Sequence, residues 1–192
     1  AASPQIRTAF LARHNEEQVF DVLSEFFVLT QQRGSDAPLV EVFSTDTGTL
    51  IKSQMPDQAF IVDTVLLSLR SLNIGYQAGF NLVLGMGRSK DGSLNSIDDP
   101  SNPLESLIYV QAEPTADPKG LQAEILKRLT LAQAVVRGFK PITQRVSETA
   151  HTLLSSAESP ADTKAEVASF LRWLLADNFV FMGLIHDETR LG

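Results

Sequence analysis

Apolar residues recur along this chain at two spacings, and the switch between them marks out its elements. After a short patch at Phe10 and Leu11, Asn15-Glu16-Glu17 predicts a helix start, because Asn caps free N–H groups and acids suit the positive helix end. Val19, Phe20, Leu23, Phe26, Phe27 and Thr30 then follow an i, i+3, i+4, i+7 stripe, closed by Gly34 and a Ser35-Asp36-Ala37-Pro38 turn. Leu39 to Phe43 and Thr49 to Ser53 predict strands around a turn at Gly48. Asp57 to Asn73 predicts a helix with Asp57 as N-cap. Phe60, Ile61, Val62, Val65, Leu66, Leu67, Leu69 and Leu72 cover most of its circumference, which suits a helix lying on a sheet and partly covered outside. Tyr76 to Arg88 predicts a long strand whose Gly79, Gly85 and Gly87 mark bulges or close backbone approach.

Ser89 to Pro103 is a polar loop, and Leu104 to Glu113 the next strand. A helix from Lys119 to about Arg137 is broken by Gly138, and Pro141 starts another that ends near Ser156. A further helix, Ala161 to Ala176, and a strand, Asn178 to Ile185, complete the string. A β-α-β unit crosses over right-handedly, and the polar loop makes an antiparallel hairpin, so both crossover helices fall on one sheet face. The expected fold is α+β, a ferredoxin-like split β-α-β sandwich with an antiparallel sheet and a helical extension. The expected organisation is a helical segment at 1–36, the α+β domain at 37–138, and a helical extension ending in a strand at 139–192.

Composition removes several functions. The 192 residues are 43% hydrophobic and 20% charged, with net charge −7, an ordinary globular balance that disfavours phosphate backbones and anionic lipid surfaces. No nucleic-acid or membrane partner is therefore expected. The chain has no cysteine, which excludes disulfides, thiol nucleophiles and thiolate metal sites. Its longest apolar run, Phe60 to Leu69, contains Asp63 and falls well short of the ~20 residues of a membrane span. There is no secretory signal pattern. The absence of an initiator Met and the end just after a charged segment suggest a piece cut from a longer protein.

Candidate chemistry is sparse. His14, His151 and His186 are too scattered for a zinc set and are read as surface or packing residues. Gly85-Met86-Gly87-Arg88-Ser89-Lys90 lacks the third glycine of a dinucleotide loop and the ending of a phosphate loop, so it reads as a bulged strand entering a turn. Asp98-Asp99 precedes Pro100 as solvated turn residues. Asp57 and Asp63 flank the start of an apolar helix, where free N–H groups can bind a carboxylate. Val167, Phe170, Leu171, Leu174 and Leu175 form a predicted core face, so Phe170→Ala would cost about 3–5 kcal/mol. Trp173 falls off that stripe and is a candidate contact for a neighbouring domain or subunit.

Four stretches resemble the N-terminal region of the large NAD-specific glutamate dehydrogenases of bacteria. Phe60-Ile61-Val62-Asp63-Thr64-Val65 is similar to that family's Asp-Asp-Met-Pro-Phe-Leu-Val-Asp-Ser-Val segment, and Glu105 to Val110 to its third-strand motif. Phe170 to Leu175 with Asn178 to Gly183 resembles its Phe-Leu-Arg-Trp-Leu-Leu…Phe-x-Phe-Leu-Gly signature, and Phe26 to Phe43 matches more loosely. The family's Met-Pro is Gln58-Ala59 here and its His-Pro is Asn81-Leu82. The resemblance implies an ACT-like βαββαβ module, of a kind that often binds amino acids and mediates subunit contacts. It also implies a cytoplasmic parent enzyme that oxidatively deaminates L-glutamate to 2-oxoglutarate and ammonia with NAD. No residue here inherits a catalytic, cofactor-binding or metal-binding role, and NAD belongs to the parent. The expected role is regulation or assembly, with Asp57, Gln58 and Asp63 as candidate effector-binding residues and Trp173 as candidate interface. The implied partners are the rest of the parent chain, sister subunits and an amino-acid effector. The alternative is a purely structural interaction module without a ligand.

Overall fold

A computed structural model describes residues 10–155, 160–186 and 189–191. Helix α1 (Glu16–Thr30) starts at the predicted Asn15, which completes a capping box with Gln18. Strands β1 (Leu39–Thr45) and β2 (Gly48–Pro56) form the predicted hairpin. Helix α2 (Ile61–Ser71), strand β3 (Tyr76–Arg88), short strand β4 (Leu94–Ile97) and strand β5 (Leu104–Ala112) follow. Helix α3 (Pro118–Ser155), helix α4 (Ala161–Trp173) and the hairpin of β6 (Leu184–His186) and β7 (Thr189–Leu191) end the chain.

The first five strands make one antiparallel sheet in the order β1-β2-β5-β3-β4. β5 lies between β2 and β3, as a split β-α-β requires, and β1 occupies the edge beyond β2. The fold is thus α+β and ACT-like. Residues of β5 alternate between two apolar layers. Ile108, Val110 and Ala112 meet Ile61, Val65 and Leu69 of α2 and Leu121, Ile125 and Leu129 of α3. Leu107 and Tyr109 meet Val22 and Phe26 of α1, with Phe10 and Phe80 beside them. Both crossover helices therefore cover one face, as expected, and α1 covers the other. On the outer side of α2, Leu67 and Leu72 stay exposed.

The glycine reading of β3 holds where backbones touch. A Cβ at Gly85 would overlap the Asp99 carbonyl oxygen, and the register shifts between Gly87 and Arg88. β4 went unpredicted because its four residues include polar Asn95 and Ser96.

Four expectations need correction. Helix α2 begins at Ile61 rather than Asp57, because the Asp57 N–H still extends the sheet by donating to the Leu104 carbonyl (2.9 Å). Phe60 occupies the N-cap instead. Gly138 and Pro141 do not divide α3. A mid-helix Pro costs about 3 kcal/mol and a Gly about 1, but Ile142, Val146 and Ala150 bury one side beyond them, and each large apolar side chain contributes about 1.5–3 kcal/mol. The strand expected over Asn178 to Ile185 shrinks to β6. The chain kinks over Leu174–Asn178, where Ala176 leaves helical angles and Asp177 turns left-handed at φ 58°, and the Asn178 side chain caps the Trp173 and Ala176 carbonyls.

Phe170 is the fourth. Two compact units, Ala1–Thr130 and Leu131–Gly192, divide the chain, and in the second Ile142, Val146 and Phe181 form a small core. Helix α4 contributes Leu171 there and fully buries only Ala168, while Phe170 is 56% exposed and stacks on Trp173 at 5.9 Å. A small residue makes the tightest contact, which a reading by hydrophobicity overlooks. Ile125→Ala, in the first core, should cost about 2–5 kcal/mol in urea unfolding, whereas Phe170→Ala should shift stability by less than about 1 kcal/mol.

Candidate functional site

The sheet carries a concentration of buried charge at one end. Glu105, the second residue of β5, lies in the α1-covered layer, and four donors converge on its carboxylate. Arg88 at the end of β3 reaches both oxygens (Nε to Oε1 2.6 Å, Nη2 to Oε2 3.0 Å). Arg33, just beyond α1, places Nη1 2.7 Å from Oε1. Gln54 of β2 donates Nε2 to Oε2 at 2.6 Å. Burial would push the Glu105 carboxyl up, but the hydrogen bonds from Arg88, Gln54 and Arg33, with the Arg33 charge, outweigh it and hold the group below the usual glutamate range. Arg88 also donates to the Thr30 carbonyl (3.1 Å), bringing positive charge to the C-terminus of a helix with no basic residue in its own last turn. A carboxylate saturated with donors and held ionised is poorly suited to transfer a proton. Its geometry joins α1, β2, β3 and β5.

The effector candidates lie at the same end of β2, in the connection to α2. Asp57 is exposed and bonded through its backbone to β5. Gln58 is half-buried, and its Nε2 is buried without a hydrogen-bond partner. Phe60 adopts a left-handed backbone (φ 70°) at the N-cap and supplies no side-chain cap to the first turn of α2, a strained conformation for a bulky residue. Asp63 is exposed in that first turn, where an acid suits the helix dipole. Asp57, Gln58 and Asp63 thus fall within one loop and helix start. Trp173 belongs to the second compact unit and is 52% exposed.

The other sequence candidates are placed as follows. His14 stacks on Phe10 at 4.0 Å, with Nδ1 2.8 Å from the Phe10 carbonyl and Nε2 3.0 Å from Gln111 Nε2. His151 is exposed, and the His186 side chain lies outside the described residues. Asp99 accepts from the Ser101 hydroxyl and N–H, which lower its pKa in an exposed turn. Among the described residues, no group of three or more His, Asp or Glu is placed to hold a metal ion, and no helix is long and apolar enough to cross a membrane. Sequence reasoning missed the Glu105 cluster, whose members lie on three strands and the segment after α1. Its one local sign is a single acid at the start of a strand that carries no other charge.

A split β-α-β antiparallel sheet with both crossover helices on one face defines an ACT-like domain. The family described as "Glutamate dehydrogenase, ACT1 domain" matches residues 5–129, well over half the chain, and the chain belongs to it. It is 28% identical over 94% of its length to an NAD-specific glutamate dehydrogenase of Halomonas elongata. It is 30% identical over 81% of its length to one of Pseudomonas aeruginosa, and 27% over 84% to one of Mycobacterium tuberculosis. The chain spans only 12%, 11% and 11% of those three proteins.

Removing one member of a buried ionic group strands its partners. Glu105→Gln should destabilise the chain by about 3–5 kcal/mol in urea unfolding. Because the folded-state pKa lies below the ordinary 4.5, the wild-type stabilisation is complete above that value and is lost as pH falls through the folded-state pKa. The acid limb of wild-type stability should therefore be steeper than that of Glu105→Gln.

Proposed function

We propose that this chain is the N-terminal regulatory or assembly domain of a large NAD-specific glutamate dehydrogenase and carries none of its chemistry. The parent would oxidise L-glutamate to 2-oxoglutarate and ammonia with NAD bound elsewhere on the polypeptide, in the cytoplasm. The reading rests on the match of nearly the whole chain to about an eighth of its relatives' length. The saturation of Glu105, the most buried acid among the described residues, also supports it. The domain's partners would be the rest of that polypeptide and sister subunits.

For regulation, the supporting observation is Gln58 Nε2, a buried donor without a partner three residues ahead of an uncapped helix start. The first-turn N–H groups of α2 would take the carboxylate of an amino-acid effector, with Asp57 and Asp63 available to its ammonium group. An effector shifts the parent's equilibrium only by its difference in affinity between two states. The alternative, an interaction module without a ligand, is favoured by the exposed Phe170–Trp173 stack.

Titration calorimetry separates the two. The regulatory reading expects one of the common amino acids to bind, and Asp57→Ala to weaken that binding by about tenfold through loss of a charge-assisted contact. Absence of heat with all of them would leave the interaction module.

A further inference from the structure

At the end of β2 away from the Asp57 loop, the turn between β1 and β2 meets the start of β3 and the end of β5 around a small groove of about 90 Å³. Thr45, Thr47, Leu50, Gln77, Tyr109 and Gln111 line it, and among the described residues that form it none carries a charge. Leu50 and Tyr109 also belong to the apolar layer under α1, so the groove has an apolar floor and a neutral polar rim.

His14 fixes how the polar groups of this groove are turned. Its Nδ1 lies 2.8 Å from the Phe10 carbonyl, which can only accept, so Nδ1 carries a proton. The Gln111 amide nitrogen lies 3.0 Å from Nε2. Two donors do not face each other, so in this arrangement the ring is neutral, Nε2 accepts, and Gln111 turns its Oε1 away from His14. The same amide nitrogen donates to the Tyr109 hydroxyl at 3.4 Å, which leaves the phenolic proton to be given elsewhere. Among the described residues no acceptor meets that proton, no donor meets Gln111 Oε1, and the side-chain amide of Gln77 makes no hydrogen bond. Burial raises the Tyr109 pKa, so the hydroxyl remains a donor at neutral pH. A donor and an acceptor thus stand side by side, each without its complement.

We propose that this groove binds an aliphatic primary carboxamide, its carbonyl oxygen accepting from Tyr109, its NH2 group donating to Gln111 Oε1 and its alkyl carbon resting on Leu50. A carboxylate cannot replace it. It has no N–H to give, and it sets an anionic oxygen against Gln111 Oε1 with no charged side chain in the lining to offset the repulsion. An ammonium group fails in the opposite way, meeting the Tyr109 proton donor to donor. Size narrows the class further: an apolar cavity of about 150 Å³ holds benzene, so this groove has no room for an aromatic ring beside the amide. The site stands apart from the Asp57 loop and depends on no reading of the parent enzyme.

NMR titration of the 192-residue chain with acetamide, followed at the side-chain amide resonances of Gln77 and Gln111, tests it. The groove predicts saturable shifts at millimolar ligand and none with acetate. The dissociation constant should rise about fivefold or more in Tyr109→Phe and, separately, in Gln111→Met, the latter read at Gln77. Tyr109→Phe keeps the ring stacked on Phe80 and removes only a hydroxyl, so far-UV circular dichroism should be unchanged. Shifts that stay linear in acetamide, that acetate reproduces, or that both variants leave intact would overturn the proposal. L-Glutamine, run in parallel, tells where the amide comes from. The same shifts at lower concentration place it on an amino-acid side chain, and any other response leaves the bare amide as the ligand. Asp57→Ala should leave the acetamide titration unchanged, so neither outcome touches the calorimetry of the effector loop.

Discussion

Strand β5 has to be covered on both faces, and the rest of the first compact unit follows from that. Its run from Glu105 to Val110 is buried without interruption, the pattern of a strand with no solvent side. One face receives α2 and α3 and the other α1. At about 25 cal/mol for each Å² of apolar surface removed from water, leaving either face bare would cost more than a marginally stable domain has to spare. The helix that precedes the sheet is thus a structural layer of it, although its sequence reads as a separate segment.

Glu105 is the exception within that strand, and it shows how the layer is fastened. A carboxylate in an apolar layer is tolerable only with its charge matched and its lone pairs filled. Arg88 and Arg33 do both, and each belongs to a segment that must be held against β5. The same guanidinium that neutralises Glu105 also terminates α1 through the Thr30 carbonyl. On the function proposed above, this rigid end of the sheet leads through Pro56 into the loop bearing Gln58 and Phe60, so a ligand there would act on a fixed frame.

The regular elements were legible because their signals are local. Asn15 with Glu16 and Glu17, the apolar run of β5 and the glycines of β3 each act within a few residues. Three local signals misled. Asp57 has the chemistry of a cap, but its N–H was already committed to Leu104 across the sheet. Gly138 and Pro141 are helix breakers whose cost is smaller than the burial on either side of them. Phe170 lies on the apolar stripe of its helix, yet Ala168 is the residue that is buried there. The Glu105 cluster could not be read at all, because its four residues span positions 33 to 105 and meet only once the sheet is built. Of the candidate site, the loop at Asp57 and Gln58 was visible from its position before an apolar helix. The left-handed Phe60 that leaves the helix uncapped was not.

The dependence of the sheet on α1 is tested most directly by hydrogen exchange on a chain that begins at residue 37. The account predicts that β5 amides, slow to exchange in the full chain, lose their protection once Phe26 and Phe10 no longer cover Phe80, Leu107 and Tyr109. Retention of full-length protection in β5 by the shortened chain would contradict it, and would make the first helix an appendage to a sheet that stands without it.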